Sequence, residues 1–172
     1  MRNEFFLLVL ALMGCESVPM DHVDAVQHTR QFDPTCWWID GYELEHFEAS
    51  QTAMAEWNAA LDAQRLRECE SFGIIRFVPG APAGASVGGE ALTLDTVAVY
   101  PDVVHAYGRD LAASVAHELG HAIATWAHLE SGLMQAGGLE ELCVDELAIE
   151  QACLWFACGP AAGSTCEEES EP

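Results

Sequence analysis

His117-Glu118-Leu119-Gly120-His121-Ala122-Ile123-Ala124-Thr125-Trp126-Ala127-His128 is the stretch on which the reading of this chain turns. On a helix, His117 and His121 stand four residues apart, one turn above each other on the same face, so two imidazoles can converge on one tetrahedral ion. Glu118 lies about 100° further round the helix axis. That is too offset for a ligand, but it can reach a water on the metal. In this HExxH arrangement zinc lowers the pKa of the water and the glutamate takes its proton. The same letters also arise by chance on solvated helices, so the surrounding frame matters. Asp110 is a good N-cap for a helix running to about Trp126. Leu111, Val115, Leu119, Ala122 and Trp126 then form one apolar stripe, and the histidines fall opposite it among Ala113, Ser114, Ala124 and Thr125. One face is built to enter a core; the other is small enough to floor a cleft.

A catalytic zinc needs a third protein ligand and an open position. His128, seven residues after His121, is the leading candidate. His22, His28, His46 and His105 have no partner spacing and read as solvated or structural.

This stretch, with Ser131-Gly132-Leu133-Met134-Gln135 after it, resembles the metzincin zinc peptidases of the matrixin-like type, whose pattern is HExxHxxGxxH followed by a methionine-containing turn. The resemblance implies that His117, His121 and His128 are ligands of one Zn2+ ion, that Glu118 is the general base and that Met134 is the Met-turn residue. Two departures stand out. The third histidine comes one residue late, and Ala124 replaces the glycine whose tolerance of positive φ lets the chain swing back. A longer helix or a bulged loop is therefore expected. A gluzincin-type site is the alternative within zinc chemistry, with Glu140, Glu141 or Glu146 as third ligand; the Ser-Gly-Leu-Met turn favours His128. A zinc-binding surface lipoprotein of weak activity is the alternative outside enzymology, and the intact Glu118 argues against it. Tyr100 and Tyr107 precede the helix and could approach as oxyanion stabilisers.

Further out, the chain reads as an α+β domain in metzincin order: a long N-terminal helix, a small mixed β-sheet, the active-site helix, a Met-turn and a C-terminal helix. The first helix is expected from Tyr42 to about Ala63, with Phe47, Met54 and Leu61 at seven-residue spacing and Trp57 nearby. Trp37 and Trp38 lie just before it as core or docking residues. Strands are expected at Ile74–Val78, Ala91–Leu94 and Val97–Tyr100, and a last helix from Glu140 to about Ala157. The Gly/Ala/Pro segment from Ala81 to Gly89 does not follow a strand and open a helix, so it is no phosphate loop.

The chain's 172 residues suit one domain with a real core. Its 28 acidic residues face six arginines and no lysine, a formal charge of -22. Nucleic-acid binding needs clustered cations, so that class is excluded. Adhesion of the folded surface to anionic lipid is disfavoured for the same reason.

The N-terminus points to export. Arg2 precedes an apolar run from Phe5 to Met13, too short to span a bilayer but suited to a signal peptide. Leu12-Met13-Gly14-Cys15 resembles a bacterial lipobox, which implies lipidation of Cys15. Expected boundaries are a signal peptide over 1–14, a tether over 15–34, the peptidase domain over 35–166 and an acidic tail over 167–172. With Cys15 assigned to lipid, the other cysteines of the seven form an even set, Cys36, Cys69, Cys143, Cys153, Cys158 and Cys166. In an oxidising compartment that set reads as disulfides of undetermined pairing. The expectation is thus a monomeric, exported metalloendopeptidase acting on peptide or protein substrates. It would touch the membrane only through its lipid anchor, with the outer membrane facing the periplasm or the cell surface as its place.

Overall fold

The computed structural model describes residues 36–70, 73–80, 88–93, 95–129, 132–135, 142–154 and 158–166. The signal peptide, Cys15, the tether and the acidic tail expected from the sequence fall outside these residues, as do Ser131, Glu140 and Glu141.

A five-stranded, mostly parallel sheet carries the fold, built from β1 (Cys36–Asp40), β2 (Arg67–Glu68), β3 (Gly73–Phe77), β4 (Gly89–Thr93) and β5 (Thr96–Val99) in the order β2-β1-β3-β5-β4. Its described helices are α1 (Leu44–Ala60), α2 (Pro101–Ala106), α3 (Leu111–Ile123) and α4 (Glu146–Cys153). β1 runs parallel to both β2 and β3, and β3 parallel to β5. Only β4 is antiparallel, paired with β5 as Gly89↔Val99 and Glu90↔Ala98 and ending the sheet. Parallel neighbours need a crossover, and α1 supplies it between β1 and β3.

Trp37 and Trp38 belong to a strand of their own, β1, rather than to a mere prelude to the helix. The physical signal is alternation: Trp37 and Ile39 are buried while Trp38 is exposed. A disulfide from Cys36 to Cys69 then ties β1 to the end of β2, with Cα atoms 5.6 Å apart. Cys143–Cys166 and Cys153–Cys158 complete the pairing of all six domain cysteines.

The core lies between the sheet and the helices, where Ile75, Val97 and Val99 meet Met54, Trp57, Val115 and Leu119. The Trp57 indole N–H also donates to the Ala116 carbonyl at 2.9 Å. This bond pins α1 to α3 one residue before His117, and it satisfies the polar end of a fully buried ring. α4 is shorter than the Glu140–Ala157 segment expected. Leu142–Asp145 lie outside the helix, because Asp145 caps it by accepting the Leu147 and Ala148 amides.

Candidate metal centre

α3 starts where Asp110 accepts the Ala113 amide at 2.7 Å, and it is buried on nearly every side from Ala113 to Ile123. The expected division into a core face and an open face is therefore milder than the stripe suggested. His117, Glu118 and His121 keep only 8%, 5% and 6% exposure. The helix also ends three residues before Trp126. Ala124 closes it in the right-handed region, at φ -116° and ψ -65°, with its amide on the Gly120 carbonyl. No positive φ is used here, so alanine can stand where the resembled pattern has glycine. The extra residue is taken up after the helix, across Thr125–His128.

This route brings His128 back over the helix. The three rings sit 4.8 Å (His117–His121), 5.3 Å (His117–His128) and 4.9 Å (His121–His128) apart, centroid to centroid. One nitrogen from each lies within 4.8 Å of the others, so His117, His121 and His128 form a group that can hold a metal ion. Glu146 does not join the group and is exposed at the first turn of α4.

What aims the two helical imidazoles is backbone. His117 Nδ1 bonds the Leu133 carbonyl at 2.5 Å, and His121 Nδ1 bonds the Thr125 carbonyl at 3.0 Å. A carbonyl only accepts, so each Nδ1 carries the proton and each Nε2 presents its lone pair. Metal-bound histidines are usually oriented in this way. Burial holds both imidazoles well below their ordinary pKa, at about 4, so they are neutral at physiological pH. His128 is lowered by burial too, and more of it is exposed.

The turn beneath the site is bolted at several points. Gly132 takes φ 74°, a conformation open to glycine, and the Gln135 amide closes the turn onto its carbonyl. The Leu133 amide donates to Asp145 at 2.8 Å while the Leu133 carbonyl takes His117, so the cap of α4 positions a ligand of α3. The Leu129 amide donates to the Met134 carbonyl at 2.8 Å, which anchors the residue following His128. Met134 is fully buried, and a Cβ at Gly120 would collide with its sulfur. Glycine at that position thus lets the methionine lie directly under the helix.

Glu118 has a buried Oε2 with no hydrogen-bond partner among the described residues. Burial, then the charge of Glu90, pushes its carboxyl up to about 8. Of the two tyrosines considered from sequence, Tyr107 is 58% exposed and lies under the Arg109 guanidinium. Tyr100 is buried, and its hydroxyl donates to Glu90. Sequence reasoning did not find Glu90, Asp145 or the carbonyls of Leu133 and Thr125. Only Asp145 left a local trace, as an acidic residue just ahead of an apolar helical run. The chain matches no protein-family model and no curated protein.

Proposed function

We propose that this chain is a zinc-dependent endopeptidase of the metzincin kind, with His117, His121 and His128 as the ligands and Glu118 as general base. The observation that carries the reading is the conjunction at α3. Three imidazoles converge, two of them with Nε2 freed by backbone carbonyls, and the buried carboxylate beside them has an unpartnered oxygen. A purely structural site has no use for that carboxylate and would normally close with a fourth protein ligand. Imidazole donors suit zinc among the common divalent ions.

The ion would supply a Lewis acid that polarises the scissile carbonyl and the attacking water. Glu118 takes the proton of that water and later gives it to the leaving amine. A carboxyl lifted toward neutrality suits both halves of the transfer. β4, the edge strand beside α3, has an outer edge on which an extended peptide can add as a further strand. Export, with lipid on Cys15, fits the three disulfides of the domain. No helix among the described residues is long and apolar enough to cross a membrane.

Elemental analysis of wild type and His128→Ala is the first test. About one zinc per chain is expected in the wild type and a large loss in the variant. Zinc retained equally in both would move the third ligand elsewhere. Glu118→Gln should keep the metal and lose about 10²- to 10⁴-fold in peptide hydrolysis; undiminished turnover would sink the mechanism.

A further inference from the structure

The edge strand β4 does more than border the site. Gly89 lies so close to Glu118 that a Cβ there would come within 2.7 Å of its Cγ and within 2.7 Å of the Ala98 carbonyl oxygen. The strand backbone therefore rides directly on the proposed general base. The next residue, Glu90, is exposed and accepts the Tyr100 hydroxyl. Tyr100 is 4% exposed, and burial followed by the bond to Glu90 pushes its hydroxyl up to about 12. It stays protonated and holds the carboxylate in place.

A hydrogen bond to tyrosine alone would be met by a neutral acceptor. A carboxylate held there, on an exposed sheet edge, also attracts a cationic side chain on an incoming strand and repels an anionic one. The whole chain has no lysine and only six arginines against 28 acidic residues. A peptide paired along the outer edge of β4 would set one of its side chains across from Glu90, about 4.5–5.5 Å away between Cβ atoms. Because Gly89 touches Glu118, that side chain flanks the bond being cut. We propose that Glu90 makes this site select polypeptides with lysine or arginine beside the scissile bond. The net charge of -22 adds long-range steering of the same cationic substrates. This inference rests on the peptidase reading above.

The test uses the zinc-loaded full chain and a set of quenched peptides. These share one sequence and carry Lys, Ala or Glu in turn at each position around the cut. Wild type should show, at one flanking position, a kcat/KM about tenfold higher for Lys than for Glu, expressed mainly in KM. The ratio should shrink as salt is raised. Glu90→Gln keeps an acceptor for Tyr100 but removes the charge, and it should bring the ratio to within about twofold of unity. An unchanged ratio in this variant, or no Lys-over-Glu preference in wild type, overturns the proposal. Binding of the same peptides to Glu118→Gln, followed by fluorescence anisotropy, separates the two readings. Tighter binding of the Lys peptide that depends on Glu90 supports charge selection even where nothing is cleaved. Cleavage without charge preference overturns selection and leaves the peptidase reading standing.

Discussion

Two groups of metal-competent side chains occur among the described residues, His117/His121/His128 at α3 and Glu43/Glu45/His46 at the start of α1. Both contain a buried histidine, and they differ in what holds its second nitrogen. At α3 the Nδ1 atoms of His117 and His121 meet carbonyls, so they are donors and Nε2 is bare. At α1 the Tyr42 amide donates to His46 Nδ1 at 3.4 Å, so Nδ1 is an acceptor there and Nε2 is the donor nitrogen. His46 Nε2 stands 3.9 Å from the Glu45 carboxylate. The His46 ring also lies flat on Phe77, with centroids 4.2 Å apart. It is a packed aromatic residue with a polar edge, whereas the α3 rings are aimed. Ligand count alone does not tell such groups apart; the tautomer fixed by the backbone does.

The largest expected effect comes from breaking the α3 group. His117→Ala should weaken metal binding by more than about 100-fold in competition with a chelator, while His46→Ala should leave stoichiometry and affinity unchanged. Equal losses in the two variants would erase the distinction drawn from the tautomers. His46→Ala should instead lower stability by about 2–4 kcal/mol in urea unfolding, the range for emptying a large buried site.

Next in size is the support behind the ligand. Asp145→Ala frees the Leu133 amide and uncaps α4, so metal affinity should fall about 10- to 100-fold, with about 1 kcal/mol of stability lost. Lost stability with intact affinity would mean that the Leu133 carbonyl is held by something other than Asp145.

The smallest effect is a proton count. In the metal-free chain His117 and His121, at about 4, are already neutral at pH 7, while Glu118, raised from 4.5 to about 8, is protonated. An arriving cation favours the carboxylate, so about one proton should leave on metal binding at pH 7, and it should come from Glu118. Calorimetry in buffers of different ionisation heat should find that release in wild type and not in Glu118→Gln. The same raised pKa carries a sign for stability. Its contribution is fully present below pH 4.5 and is lost as pH rises through about 8. The metal-free wild type should therefore lose melting temperature over that interval relative to Glu118→Gln.

Much of this was legible in the residues, and for a definable reason. The spacing of His117 and His121, the Asp110 cap and the apolar residues of α3 are local facts, since helix geometry converts sequence distance directly into direction. The even set of domain cysteines implied an oxidised domain, as the three disulfides are consistent with. Strand pairing was less legible. The parallel neighbours β1, β3 and β5 are separated by helix or hairpin, so nothing nearby in the chain announces their order. Trp37 and Trp38 escaped recognition as a strand because five residues are too few for alternation to stand out beside a long helix.

By itself the sequence determined which residues could bind a metal, that two of them, His117 and His121, share a helix face, and that the chain is too acidic for nucleic acid. Those properties depend on residue type and on contacts within a few positions. Only the tertiary structure decided that His128 returns without a glycine, that Leu133 and Thr125 set the tautomers of His117 and His121, and that Gly89 of the edge strand lies against Glu118. Each of these joins groups on different elements or beyond a helix end, and their distance is set by the packing of α1, α3 and the sheet around one core.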